Sequence, residues 1–485
     1  MTPPGREPQA QPRSRRRRVL AGLMLGNTLV ALDTTIVATA VTVIVEDLGE
    51  FDQFPWLFSA YLLAHAVTTP IFGKLSDVVG RKPIMLVGIG VFFLGSIGCG
   101  FAQSMTALIA FRALQGLGAG AVQPTVLTIA GDIYTLRERP RAQGYITSVW
   151  AAASVLGPAV GGLFSEYGSW RGIFFVNVPI CATAALLLIR NFSEANVEQR
   201  SRPGRPDVVG AALLTLGAGL LVLGLLEGGH TWAWGSRAWV LIVTAGAVSI
   251  LLFGVVEWRV RDPIVPLWIL RRRTLLGTIL TSAIIGAIVT ALVSYVPLVS
   301  QNVLGMTALA GGFVLAPLTL AWPLASSQSG RLYLRFGFRR TAFAGTAITI
   351  VGVGLTVLIG VNTAGWQISG ACFVVGAGLG FITSPTIIAA QASVGWEERG
   401  VVTSCTAFAR SIGGALGAAA FGALAAAPGG DPASPAQLAA ALHPVFVGVF
   451  LAAIGLILTV SILPRDMHVT PQRQGTKQPG VSRVD

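Results

Sequence analysis

Long apolar stretches, separated by short polar segments, run through almost the whole chain. Most of them have about 18 to 27 residues, which is enough for an α-helix to cross the hydrocarbon core of a bilayer. We count fourteen candidate membrane spans, near 19–45, 55–73, 84–102, 105–131, 142–165, 172–189, 208–226, 239–256, 275–299, 308–329, 342–360, 366–391, 401–426 and 443–463. The pattern predicts an all-α membrane protein with 14 transmembrane helices.

Composition agrees with this pattern. Of the 485 residues, 53% are hydrophobic and only 11% are charged, whereas soluble domains carry about 25% charged residues. The net charge of +13 would suggest nucleic-acid binding in a soluble protein. Here the basic residues lie in the connecting segments, so we expect the lipid bilayer, and no nucleic acid, as the partner.

The basic residues also predict an orientation. Of the 34 lysines and arginines, 30 fall in segments that lie on one side of the membrane if the fourteen spans are right, and only Arg171 and Arg237 lie on the other side. Basic loops stay in the cytoplasm. Both termini are therefore predicted to be cytoplasmic, in the plasma membrane of a bacterium.

The two ends of the span series are related by an internal repeat. Equivalent residues lie 257 to 261 positions apart: Gly73 and Gly330, Gly80 and Gly337, Gly116 and Gly376, Pro124 and Pro385, Glu138 and Glu398, and Gly157 and Gly417. Spans 1–6 thus repeat as spans 9–14, with spans 7 and 8 as an inserted pair. Parallel repeats of this kind form two bundles with a binding site between them, near the middle of the membrane.

These boundaries divide the chain into five parts. They are a basic cytoplasmic tail (1–18), an N-terminal six-helix bundle (19–190), a linker with inserted helices 7 and 8 (191–274), a C-terminal six-helix bundle (275–463) and a cytoplasmic tail (464–485).

Several motifs resemble those of the major facilitator superfamily, and within it the fourteen-helix drug:H⁺ antiporters. The matching segments are Gly73–Pro83, Leu32–Val37, Leu108–Gly118 with Arg112 and Gln115, Gly157–Gly162, and Trp170–Pro179 with Asn177. Three positions depart from the family pattern, which commonly has arginine at Val78, proline at Thr42 and glycine at Ala153. The resemblance implies the MFS fold and a proton-driven exporter.

Asp33 and Arg112 are the predicted proton-coupling residues. Asp33 lies about 21 Å into its span from the cytoplasmic end and Arg112 about 10 Å into span 4 from the other side, at 1.5 Å per residue, so the two can meet. A carboxylate at that depth must be protonated, paired or hydrated. The alternatives are a structural carboxylate and a permanent salt bridge. The resemblance also implies a proton-transfer role for Arg112.

Charged residues in and near the loop Gly73–Pro83 predict a cytoplasmic gate. Asp77 can face helix N-termini, and Arg81 can pair with Asp132 at the cytoplasmic end of span 4. Gly73 and Gly80 allow a tight turn and close helix approach. The second copy of this loop has Leu334 where Asp77 stands. The alternative is a loop that only sets orientation.

Small residues in span 5 predict a hinge. Gly157, Pro158, Gly161 and Gly162 would permit close helix contact and a bend at the interface between the halves. The alternative is ordinary helix packing.

Three polar residues inside spans could line the cavity: His65, Gln115 and Arg410. His65 could titrate near neutrality or be a satisfied core histidine. Arg410 would favour anionic or polar groups, or be paired structurally.

The chain carries no enzyme or metal signature. Motifs for nucleotide binding, zinc proteases and serine hydrolases are absent, and the four histidines and four cysteines are dispersed. We expect no enzyme activity, no metal and no cofactor, with the proton as coupling ion.

These observations lead to one expected function and its alternatives. We expect a monomeric antiporter that exports small amphipathic organic substrates such as drugs, antibiotics or metabolites. A lipid or specific metabolite transporter of the same fold is the alternative. A non-transporting receptor is disfavoured because it has no use for an acid in the middle of the membrane.

Overall fold

Helices account for the regular structure of the described chain, apart from one bridge between Gly228 and Trp232. The computed structural model describes residues 13–464 except 49–55, 168, 195–206, 229–231, 234, 261–262, 264–265, 267, 307 and 426–433. Both predicted tails and much of the linker therefore lie wholly or mostly outside the described residues.

Sixteen helices occur in the described residues. They are α1 (Arg13–Leu48), α2 (Trp56–Val79), α3 (Arg81–Phe101), α4 (Met105–Ile133), α5 (Arg139–Tyr167), α6 (Gly172–Phe175), α7 (Asn177–Asn191), α8 (Val208–Glu227), α9 (Arg237–Arg259), α10 (Trp268–Arg271), α11 (Arg273–Asn302), α12 (Ala308–Phe336), α13 (Phe338–Val357), α14 (Gly365–Ala392), α15 (Arg399–Ala425) and α16 (Pro435–Ser461).

Fourteen of these helices follow the fourteen predicted spans, because α6 and α10 are single turns next to longer helices. Ten segments of the described chain are long and apolar enough to cross a membrane by length and composition. The helices outside that set are α2, α5, α8 and α15. The all-helical membrane fold is thus confirmed, while fourteen crossings remain a prediction.

The two halves have the same internal packing. In the first half α1 packs on α5 and α7, α2 on α4, and α3 on α4 and α7. In the second half α11 packs on α15 and α16, α12 on α14, and α13 on α14 and α16. Each half has its own apolar core. The helix neighbours therefore repeat along with the sequence.

Repeated glycines explain why equivalent helices approach equally closely. A Cβ atom on Gly118 of α4 would lie 2.6 Å from the backbone nitrogen of Phe92 in α3. A Cβ atom on Gly378 of α14 would lie 2.6 Å from the backbone nitrogen of Thr349 in α13. Real Cβ atoms do not tolerate such distances to backbone, so these helix pairs require glycine at both positions.

The turns that follow α2 and α12 mark one end of the bundle. Gly80 has φ of 118° and Gly337 has φ of 88°, a backbone region that favours glycine because it has no Cβ atom. The basic segments around both turns lie at this end, which we call the basic end. The other end, which carries Asp47 and Arg171, is called the opposite end.

The inserted helices α8 and α9 pack against each other and lie beside the contact between the halves. Leu214 and Ala218 of α8 and Phe253 of α9 are buried with Val67 of α2 in one apolar cluster, against which Phe408 of α15 also packs. Helix α2 belongs to the first half and α15 to the second. The inserted pair therefore touches both bundles.

We predict that Gly413→Ala destabilises the protein by about 1–3 kcal/mol, the usual effect of overpacking. A Cβ atom on Gly413 of α15 would overlap the backbone carbonyl of Ala283 in α11, and neither backbone can give way cheaply. Thermal unfolding of the purified protein in detergent measures the effect.

Gly370→Ala is the matched control, because no atom lies within 4 Å of a Cβ atom placed there. This substitution should leave the unfolding midpoint unchanged or raise it slightly. Equal midpoints for the two variants would contradict the packing argument.

Candidate functional site

Asp33 lies in the interior of the first half with both carboxylate oxygens occupied. Its side chain is about 1% exposed and forms an ion pair between Oδ2 and Nη1 of Arg112. Its Oδ1 atom accepts hydrogen bonds from Nε2 of Gln115 at 3.2 Å and from Nδ2 of Asn177 at 3.3 Å. Helices α1, α4 and α7 thus converge on one carboxylate.

The guanidinium group of Arg112 also has several interaction partners. Its Nε atom donates to the carbonyl oxygen of Leu57 at 3.1 Å, and Nη1 donates to Oε1 of Gln115 at 2.9 Å. The guanidinium carbon lies 4.3 Å from the centre of the Tyr61 ring, a cation–π distance. Gln115 also donates to Oγ of Ser96 at 2.8 Å. The charges therefore sit in a connected polar network.

This network makes protonation of Asp33 consequential. Removing one partner of a buried ion pair leaves the other charge uncompensated, a change of about 3–5 kcal/mol. Protonation of Asp33 would do the same to Arg112, so the surrounding helices must rearrange or admit water. The arrangement can therefore link a proton to a conformational change.

The structure adds Asn177 and Ser96 to the predicted pair. Both are polar residues inside apolar helices, which is the signal that could have indicated them. Gln115 belongs to the same network and is fully buried. In this structure the Gln115 side chain is hydrogen-bonded to Asp33, Arg112 and Ser96, and its predicted place in the cavity stays a prediction.

The predicted gate residues meet at the basic end. Asp77 and Arg81 form an ion pair at 2.7 Å, and Arg81 lies 3.2 Å from Asp132. Asp77 also accepts the backbone N–H groups of Gly400 at 3.0 Å and Val401 at 2.7 Å. These are the first turn of α15, so an acid of the first half caps a helix of the second half, where a negative charge is favoured.

Second-half residues complete this gate. Arg81 is fully buried, lies 3.6 Å from the centre of the Trp396 ring and donates to the Trp396 carbonyl oxygen. Arg399 pairs with Asp132 at 2.9 Å. Two aspartates and two arginines thus form a row of alternating charges, in which Arg399 belongs to the second half and the other three belong to the first. Sequence reasoning missed Trp396 and Arg399, because their partners lie more than 260 residues away in the chain.

The second copy of the loop makes a different contact. Where the first copy has its acid, the second copy has Leu334, and the neighbouring Tyr333 donates its hydroxyl to the carbonyl oxygen of Leu136. The Tyr333 ring stacks on Phe338 with ring centres 4.5 Å apart. The two copies of the loop therefore differ in chemistry: the first copy makes an ionic contact with the other half, and the second copy makes a neutral one.

Gly157 packs inside the first half. A Cβ atom there would overlap the side chain of Thr35 in α1, and Thr35 donates to the carbonyl oxygen of Ala153 at 3.0 Å. Helix α5 does contact the second half, where Ser154 and Thr319 share a hydrogen bond of 3.2 Å. The nearest atoms to Gly157 thus belong to the first half, and its role as a hinge stays a prediction. Pro158, Gly161 and Gly162 lie in the same helix.

His65 and Arg410 are both half-buried and lie near each other, on α2 and α15. Gln123 of α4 and the charge of Arg410 lie close enough to act on His65 electrostatically. Unlike Gln115, both remain on the inner faces where the halves meet.

An ion pair also lies at the opposite end. The carboxylate of Asp47, beyond the predicted first span, accepts from the Trp170 indole at 2.9 Å and from Arg171 at 2.8 Å. These two hydrogen bonds lower the pKa of Asp47 below its ordinary value. Both partners belong to the first half, so this contact does not join the bundles.

The described residues contain no group of three histidine, cysteine or acidic side chains that could hold a metal ion. The four cysteines, Cys99, Cys181, Cys372 and Cys405, are free thiols, and all are buried.

Comparisons with known proteins agree with this geometry. Residues 23–418 match the model of the Major Facilitator Superfamily. The chain is 32% identical over 423 residues to the multidrug transporter protein MdtP of Bacillus subtilis, covering 86% of this chain and 77% of that protein. It is 34% identical over 404 residues to multidrug resistance protein 3 of the same organism, covering 83% and 78%.

A fungal relative and a solved structure extend the likeness. The efflux pump dotC of Dothistroma septosporum is 32% identical over 404 residues, covering 82% of this chain and 68% of the pump. The crystal structure of the human organic anion transporter MFSD10 aligns with a TM-score of 0.63 at 16% identity, covering 94% of this chain and all of that one. The latter likeness concerns the fold alone.

We predict that Asp77→Lys opens the basic end and raises the rate of Cys405 alkylation at least tenfold. The substitution removes the α15 cap and brings a positive charge to Arg81, and hydrogen bonds to charged groups are worth about 1.5–3 kcal/mol each. Cys405 is buried one turn beyond Val401. Maleimide labelling of the purified protein, read by mass spectrometry, measures the rate.

Asp47→Lys at the opposite end is the charge-matched control and should leave Cys405 protected. Buried Cys372 reports on folding, since labelling there would indicate general unfolding instead of opening. An unchanged Cys405 rate in a folded Asp77→Lys protein would rule out the gate.

Proposed function

The chain belongs to the Major Facilitator Superfamily and is a membrane transporter, and from this premise we propose that it is a proton-coupled antiporter. It exports small amphipathic organic molecules, among them drugs, antibiotics or metabolites, by alternating access. The proton is the coupling ion, and no cofactor takes part.

The observation that carries this proposal is the buried network around Asp33. A scaffold or receptor would gain nothing from an ion pair in its interior, which apolar residues of similar volume could replace without loss of stability. A proton-driven carrier needs such an acid, because its charge must change during the cycle. Asp33 is the proton acceptor in this proposal, and its negative charge neutralises the positive charge of Arg112.

The contacts between the halves support alternating access. In the described part of the chain, hydrogen bonds between the halves run from Ser154 and Thr319, in the middle, to the gate at the basic end. We assign this arrangement to the state that is closed to the cytoplasm. The excess of basic residues at the same end supports its cytoplasmic location.

Export of drugs is supported by the names of the relatives, two of which are described as multidrug proteins and one as an efflux pump. A lipid or specific metabolite transporter is the second candidate. It is favoured by the inserted helices α8 and α9, which lie beside the contact between the halves and could provide a lateral path from the bilayer.

We predict that Asp33→Asn slows pH-driven export at least tenfold while substrate affinity changes less than threefold. Asparagine keeps the size and hydrogen-bonding capacity of the side chain but cannot exchange a proton. The measurement uses purified protein in lipid vesicles, with a panel of fluorescent dyes, an imposed pH gradient and the membrane potential clamped at zero.

Asp47→Asn is the matched control, because it removes an exposed carboxylate outside the network, and it should transport at the wild-type rate. Efflux by Asp33→Asn that still follows the pH gradient would exclude Asp33 as the coupling acid. Movement of labelled lipid by the wild-type protein without any dye would favour the lipid transporter instead.

A further inference from the structure

One polar cluster at the contact between the halves takes no part in the coupling network or the gate. It consists of His65 on α2, Gln123 on α4 and Arg410 on α15, and we call it the Arg410 cluster. All three side chains are half-buried. Gln123 and the charge of Arg410 both lie close enough to His65 to act on it electrostatically. Side chains from both bundles therefore form the Arg410 cluster.

Helix register explains why these residues meet. Helices α2 and α15 run in opposite directions and touch at Gly73, where a Cβ atom would overlap the side chain of Ser404. From that contact His65 lies about 12 Å and Arg410 about 9 Å farther from the basic end, at 1.5 Å per residue. A Cβ atom on Gly120 of α4 would lie 2.9 Å from the carbonyl oxygen of His65, which brings Gln123 to the same level.

The cluster contains unused polar atoms. Nε2 of His65 and the hydroxyl of Tyr61, one helical turn away, are buried without a hydrogen-bond partner in the described structure. The two rings lie 6.1 Å apart. Buried polar atoms are almost always hydrogen-bonded, and leaving one unpaired is unfavourable. The unpaired Nε2 atom of His65 can therefore accept a hydrogen bond from a polar ligand or donate one to it.

Arg410 also differs from Arg112 and Arg81 in its charge balance. Arg112 is neutralised by Asp33, and Arg81 by Asp77 and Asp132. No carboxylate of the described residues forms an ion pair with Arg410. An uncompensated positive charge inside a membrane protein attracts an anion and repels a cation.

We propose that the Arg410 cluster binds the anionic group of the transported molecule, so that the substrate class is amphipathic organic acids, carboxylates or sulfonates. Arg410 provides the charge and a bidentate pair of donors, and His65 and Tyr61 provide further hydrogen bonds. This inference deepens the proposed function and rests on it only in calling the bound molecule a substrate. Binding of an anion at the site does not itself require transport.

The repeat supports a specific role for this residue. The offset of about 260 positions that relates the halves places Trp150 opposite Arg410 in the first half. Asp33, the proposed coupling acid, lies in the first half, and Arg410 lies in the second. Proton and organic anion would thus bind to different bundles, with Tyr61 between them, since its ring also lies against Arg112.

The test is equilibrium binding of two matched probes to the purified full-length protein. The probes are a dansyl-labelled undecanoic acid and its primary amide, which differ only in the carboxylate. Wild-type protein should bind the acid at least tenfold more tightly than the amide, in line with a hydrogen-bonded charge. Arg410→Gln should weaken the acid at least tenfold and the amide less than threefold.

Two further variants make the result specific. Arg410→Lys keeps the charge and should retain most of the preference for the acid. Arg340→Gln removes a charge from an exposed arginine at the basic end and should bind like the wild type. Equal affinity of wild-type protein for acid and amide, or an equal loss of both in Arg410→Gln, would overturn the site.

The outcomes for site and function are separable. If the acid binds through Arg410 but no dye follows a pH gradient, the proposed antiport is wrong and the anion site stands. If a cationic dye is exported while acid and amide bind equally, the anion site is wrong and the antiport stands.

Discussion

A charge inside the hydrocarbon region must be paired, hydrated or bound to a counter-ion, and pairing organises the first half of the protein. Asp33 pairs with Arg112, and Gln115 and Asn177 occupy the other carboxylate oxygen. Because three helices supply these groups, a change in the ionisation of Asp33 alters contacts among α1, α4 and α7 at the same time. That is the physical basis on which a proton can act on the position of a whole bundle.

The same principle works differently at the basic end, where the charges join the halves. Asp77 satisfies the first N–H groups of α15, and Arg81 lies between two acids and the ring of Trp396. An acid at a helix N-terminus is favourable only while the two elements touch, so this contact has two discrete states, made and broken. The second copy of the loop has Leu334 in place of the acid, and its neighbour Tyr333 forms a neutral contact. The two copies thus share a backbone turn but differ in whether their contact with the other half is ionic or neutral.

Between these two ionic groups lies the contact of α2 with α15, which carries Tyr61, His65 and Arg410. Tyr61 touches Arg112 on one side and His65 on the other. A ligand on Arg410 and a proton on Asp33 would therefore act on neighbouring turns of the same helix. The inserted helices pack on this contact from outside, where they cover apolar surface of both halves.

The sequence by itself determined the helical membrane fold, the repeat and the principal charged residues, because hydrophobic length, glycine spacing and isolated charges in apolar helices are local properties. Gly80 and Gly337 are examples, since the turn each forms needs a positive φ wherever it stands. Only the tertiary structure decided which groups meet. It brought Trp396 and Arg399 to the predicted gate, enclosed Gln115 behind Asp33, turned Gly157 toward Thr35 and, within the described residues, left Arg410 without an ion-pair partner. These outcomes depend on helix rotation and on contacts across hundreds of residues, neither of which the local pattern of apolar and polar positions records.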